Sequence, residues 1–186
     1  GDRWLLTLTD RARGQVVPSL LGSDPLPPAT PLPTDGLPTD RLFPVRLAHA
    51  RTAMLVRQAH QHGLLPESAL AQELVQIWTR SDLPVLNGPA ERRVLLALAA
   101  SRLARRRARA GGRPAPIVAS LRDIGAAFVA WFAATRFTPR AGRGTAPGTS
   151  GDIMDTYRLR LALATAVGSA LRAGLTDLAL DAPENL

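Results

Sequence analysis

Arginine supplies all 23 basic side chains of this 186-residue sequence; lysine is absent, and with 15 acids the net charge is +8. A guanidinium makes forked, bidentate contacts with phosphate that an ammonium cannot, so the chemistry on offer is anion binding, above all to a nucleic-acid backbone. A GC-rich coding sequence would produce the same bias. Arg102, Arg105, Arg106, Arg109 and Arg113 recur at helical spacing with no acid among them. They form either a solvated charged face or a phosphate-contacting ridge, and the lack of mixed signs favours the ridge. Arg46, His49, Arg57 and His60 make a second polar stripe, which is either a wet helix face or a further RNA-facing strip. Arg136, Arg140 and Arg143 stand near or within a Gly/Pro/Thr-rich stretch, and Trp131 and Phe132 offer rings on which a base could stack.

Other chemistries find little support. The sequence has no cysteine, which excludes a disulfide framework and a thiolate zinc site. His60 and His62 point in different directions on a helix and lack a third ligand, so no metal is expected. Ser120, Thr165 and Ser169 have no neighbouring base to activate them. No catalytic constellation emerges and no cofactor is implied. The uncharged runs 124–135 and 161–171 fall short of the ~20 apolar residues of a membrane span, and the N-terminus lacks a signal-peptide layout. The expectation is a soluble, cytoplasmic protein with no membrane partner.

The elements that must position these arginines are helices. Trp4–Leu8 is a short apolar run compatible with a strand or a remnant helix. Eight prolines between Pro18 and Pro44 predict an extended connector with neither ladder nor helix, so residues 1–40 read as a Pro-rich irregular segment or the remnant of an upstream domain. Five amphipathic helices follow in 41–186, at about 44–62, 67–80, 89–111, 117–135 and 153–173. Gly63 and Gly111-Gly112 stop the first and third, and Asn87-Gly88-Pro89 opens the third with Glu91 near its positive end. On the third helix Leu96, Ala99, Leu103 and Ala110 give an apolar stripe beside the arginines, and on the fourth Ile117, Leu121, Ile124, Phe128, Trp131, Phe132 and Thr135 do so. Ala126, Ala130, Ala133 and Ala134 leave the other side of the fourth helix smooth. Arg51 falls on the apolar side of the first helix, where it needs a partner, and Asp123 is the expected one. The fold class is all-α, a helical bundle.

The C-terminal sequence Arg160-Leu161-x-Leu163, then Gly174-Leu175-x-x-Leu178 and Ala182-Pro183-Glu184, resembles the closing segment of the DALR anticodon-binding domain of class I arginyl-tRNA synthetases. Leu186 stands where that family usually has Met. Leu47-Ala48-His49-Ala50-Arg51 is similar to the family's Y-A-H-A-R segment, and Leu121–Phe137 to its L-x-D-L-A-x-A-F-H-x-F-Y-N helix. The likeness covers roughly residues 42–186, with 64–116 matching only as helical filler. Val129, Phe132 and Ala133 replace the family's His, Tyr and Asn, which removes base-edge hydrogen bonding there but leaves stacking open.

The resemblance implies a tRNA-binding module without the catalytic half of the synthetase. The His-x-Gly-His signature is missing, and a Lys-Met-Ser-Lys loop cannot exist in a chain without lysine. The chain alone should therefore not activate an amino acid. Two rival readings stand beside this one. One is a helical protein-interaction scaffold that has lost RNA recognition, favoured by the Val129/Phe132/Ala133 changes and the smooth alanine face. The other is the C-terminal fragment of an arginine–tRNA ligase whose ATP-dependent activity lies elsewhere in a longer protein. A protein partner or an upstream domain is compatible with each.

Overall fold

The computed structural model describes residues 10–21, 31–32, 42–63, 76, 86, 88–135 and 149–184. It is an all-α bundle, with five helices among the described residues: α1 Asp10–Leu21, α2 Phe43–Gln61, α3 Pro89–Gly111, α4 Ala115–Ala134 and α5 Thr149–Asp177. Of the expected helix at 67–80 only Gln76 is described, and it is helical; the run Trp4–Leu8 lies outside the described residues.

α5 is the central element. From Leu159 to Leu175 its buried side chains cover most of its circumference, including Leu161, Ala162, Leu163, Ala164, Ala166 and Val167. A helix with so wide an apolar surface must be largely enclosed, and α1, α2, α3 and α4 all pack against it, leaving Thr165, Ser169, Arg172 and Thr176 as a polar strip that is not buried. Two glycines permit the closest approaches. A Cβ on Gly168 would lie 2.6 Å from Thr52 Oγ1, and one on Gly174 would lie 2.7 Å from Leu121 Cδ2. Gly174→Val is accordingly expected to lower stability by about 1–3 kcal/mol through overpacking, read as a reduced urea midpoint. A midpoint equal to that of the native chain would mean the α4–α5 spacing is looser than described.

α3 and α4 form an antiparallel pair joined at Gly112-Arg113-Pro114. Gly112 takes the left-handed conformation (φ 60°), and the Arg113 amide bonds back to the Ala108 carbonyl, closing the helix as a Schellman turn. The end of α5 closes likewise: Leu180 N–H reaches Leu175 O, with Ala179 at φ 52° where glycine is usual. Gly88, not Asn87, is the N-cap residue of α3. Its missing Cβ leaves the space that the Glu91 carboxylate fills.

Two expectations need correction. Helix α1 runs through Pro18 to Leu21, where a helix-free connector was predicted. A mid-helix proline costs about 3 kcal/mol. Burial of Val16 and Val17 in the core offsets that cost, and Ser19 Oγ donates to the Val16 carbonyl at 2.9 Å. The buried face of α3 is also different. It comprises Glu91, Val94, Leu95, Leu98, Ser101 and Ala108, whereas Leu96 and Leu103 are 38% and 45% exposed and Ala110 faces solvent. Of the predicted stripe, Leu96, Leu103 and Ala110 lie on the outer face, while Ala99 is half-buried against the core.

On α4 the expected stripe is the core. Ile117, Leu121, Ile124, Phe128 and Trp131 are buried, Phe132 and Thr135 half-buried. Ala126, Ala130, Ala133 and Ala134 are exposed. By length and composition alone α4 is apolar enough to cross a membrane. Its large side chains are instead buried against other helices, and Arg122 and Asp123 stand exposed midway along it.

Candidate nucleic-acid interface

The five arginines of the predicted ridge divide into two sets once the true face of α3 is known. Arg105 and Arg109 lie on the edge of the buried stripe, at 18% and 27% exposure. Arg105 Nε and Nη2 donate to the two carboxylate oxygens of Asp177, at 2.6 and 3.2 Å, and Arg109 Nη2 donates to Asp177 Oδ1 at 2.8 Å. Asp177 is the last residue of α5 and is 7% exposed. Burial alone would raise its carboxyl pKa; the hydrogen bonds and charges of the two guanidinium groups outweigh this and hold it below the ordinary carboxylate value. These two arginines therefore lock α3 to the end of α5 and have their donors turned inward. A cluster read as one RNA-facing ridge is partly an internal ion network.

Arg102, Arg106 and Arg113 face outward, as does Arg107, which the ridge did not include. Arg102 donates to the Ser19 carbonyl and so steadies the end of α1. Arg106, Arg107 and Arg113 make no ion pair among the described residues, and no acid occurs between Arg92 and Arg113. Three guanidinium groups without an ion pair among the described residues thus line the last turns of α3 and the turn after it. The sequence signal for Arg107 was its place in the run Arg105-Arg106-Arg107; the ridge spacing passed over it.

The second predicted strip is largely taken by the chain's own tail. His49 is buried at 2% exposure, and its Nδ1–H donates to the Pro183 carbonyl at 2.8 Å, which fixes the tautomer because a carbonyl only accepts. Thr52 Oγ1 donates to the His49 carbonyl at 2.7 Å. Arg57 is exposed and donates both Nη groups to the Glu184 carbonyl at 3.2 Å, while Arg172 pairs with the Glu184 carboxylate at 2.8 Å. His49 is thus a positioning residue for the Ala182–Glu184 tail and not an RNA contact. Arg46 is half-buried, its Nε enclosed without a hydrogen-bond partner.

The aromatic candidates are also structural. Trp131 is fully buried, its Nε1–H donating to Glu91 Oε1 at 3.2 Å and its ring packed edge-on against Phe128 at 6.0 Å. It presents no face to a base. Phe132 is half-buried between the Phe128 ring at 5.8 Å and the Arg51 guanidinium 5.6 Å from its centroid. Arg51 therefore satisfies its charge on a π-face in place of the expected Asp123, which is exposed. Arg136, Arg140 and Arg143 lie outside the described residues.

Ser101 Oγ donates to Leu98 O at 2.6 Å and Thr165 Oγ1 to Leu161 O at 2.9 Å, whereas Ser120 Oγ is enclosed without a hydrogen-bond partner. Among the described residues no group of three His, Cys, Asp or Glu side chains is placed to hold a metal ion. Comparison with protein-family models, curated proteins and solved structures finds no match to this chain.

Proposed function

We propose that this bundle is a tRNA-binding module of the anticodon-binding kind, acting through arginine contacts to phosphate and without a catalytic half of its own. The observation that carries the reading is the outward set Arg106, Arg107 and Arg113, exposed and free of acidic partners among the described residues. Phosphate contacts of this sort position a nucleic acid without reading its sequence. The three stretches that resemble the arginyl-tRNA synthetase domain meet in space: His49 bonds Pro183, 134 residues away, and Gly174 admits Leu121. Stacking on Trp131 is dropped from the mechanism, and Arg105 and Arg109 act as supports.

The test is titration of the purified chain with tRNA over a range of salt. Log affinity is expected to fall linearly with log salt, because each neutralised phosphate releases condensed counterion. Replacing Arg106, Arg107 and Arg113 together by Ala should flatten the slope by roughly 2–3 at about 0.7–0.9 per contact, with similar losses for different tRNAs. These side chains are solvent-exposed, so the melting temperature should not move. An unchanged slope in the triple variant removes these arginines from the interface, and absence of binding by the native chain removes the RNA reading.

A further inference from the structure

The outward face of α3 carries something that phosphate binding does not use. Leu96, Leu103 and Ala110 recur every seven residues along it, with the exposed Ala100 between the leucines. The two leucines are among the few large apolar side chains this molecule exposes, at 38% and 45%. The seam extends about 21 Å at 1.5 Å per residue. Arg93 and Arg107 flank it on one side and Arg106 on the other, all exposed.

The geometry points to a docking site for an acidic amphipathic helix of a partner protein, laid along the Leu96–Leu103–Ala110 seam. A seven-residue apolar repeat is the spacing at which a second helix packs side by side, and charges flanking such a seam select the partner's sign. The flanks here are wholly cationic, and the stretch Arg92–Arg113 holds no acid to pair with them internally. A second copy of this chain would set arginine against arginine across the seam, which is repulsive. A lipid surface fits less well: two leucines without an exposed aromatic neighbour on α3 give little area for insertion. Duplex or single-stranded RNA could engage the arginines but would leave the leucines facing phosphate. Glutamate or aspartate carboxylates flanking a leucine seam satisfy both halves of the surface. The small Ala100 between the leucines leaves a recess into which a partner's leucine would fit.

The probe is a roughly three-heptad helical peptide with leucine in its seam and glutamate at the flanks, compared with the same peptide carrying lysine at the flanks. Fluorescence anisotropy should show binding of the acidic peptide and at least about tenfold weaker binding of the basic one. Leu96→Ser with Leu103→Ser should abolish binding of the acidic peptide while leaving the melting temperature and the tRNA salt slope unchanged, since both leucines are exposed and neither is charged. That pattern separates this site from the RNA reading, and it holds whether or not tRNA binds. Equal binding of the two peptides, binding that survives the serine double variant, or leucine-dependent binding to phosphatidylserine vesicles without binding to the acidic peptide would each overturn the proposal.

Discussion

Trp131→Ala is expected to lower the unfolding free energy by about 3–5 kcal/mol, the range for deleting a buried aromatic side chain. Trp131 is fully buried at the C-terminal end of α4, where the antiparallel path brings it against the first turn of α3. Two terms add. The first is the cavity left beside Phe128, which loses its edge-on neighbour. The second is the Glu91 carboxylate, 9% exposed, which loses the indole N–H that satisfies it. Trp131→Phe separates them, because it keeps most of the volume and removes the donor. It should cost about 1–3 kcal/mol, the penalty for leaving a buried acceptor unpaired. If that penalty belongs to Glu91, combining Trp131→Phe with Glu91→Leu should cost less than the sum of the two single changes. For a domain with a margin of about 5–15 kcal/mol, the alanine change alone removes a large part of the stability. Urea unfolding followed by circular dichroism measures all four variants. A loss under about 1 kcal/mol for Trp131→Ala would contradict the burial described for this ring.

The sequence states some of this arrangement openly and conceals the rest for identifiable reasons. On α4 the apolar residues fall on one side and alanine or charge on the other, so Ile117, Leu121, Ile124, Phe128 and Trp131 are legible as core. On α3 two apolar stripes compete. Val94, Leu95 and Leu98 run along one face and Leu96, Leu103 and Ala110 along the other, and both obey helical spacing. Periodicity alone does not choose between them; the choice is made by α4 and α5 packing on the first. With the phase set that way, Arg105 and Arg109 turn toward Asp177, 72 and 68 residues distant, a partner no local pattern reveals. His49 is a similar case, because its ligand is the backbone carbonyl of Pro183 and a carbonyl leaves no trace in residue type. Arg51 shows that an apolar-side charge requires a neighbour while leaving open whether a carboxylate or a ring supplies it. Proline content predicted a break at Pro18, yet the contacts of Val16 and Val17 with the core prevail over local propensity.

Asp177→Asn is expected to cost about 2–3 kcal/mol near neutral pH, at or just below the ~3–5 kcal/mol for breaking a buried ion pair, because Arg105 and Arg109 keep some access to water. The asparagine matches the carboxylate in size but offers one acceptor oxygen and no charge to two guanidinium groups. The loss should be pH-dependent in a defined direction. The folded carboxyl titrates below its ordinary value, so the unfolded chain binds the proton more readily than the folded one. The stability this group adds is therefore complete above the unfolded carboxylate pKa of about 3.9. It is lost as pH falls through the lower, folded value. The native chain should lose stability along this acid limb faster than the asparagine variant, and the gap between their urea midpoints should narrow from neutral pH toward about pH 3. Two effects of the same residue are thereby tied together: the anchoring of α3 to the end of α5, and the acid sensitivity of the bundle. A gap that stays constant across that range would show that Asp177 contributes by packing and uncharged hydrogen bonds. Arg105 and Arg109 would then lack an ionised partner at Asp177, which would reopen their place in the proposed phosphate-contacting set.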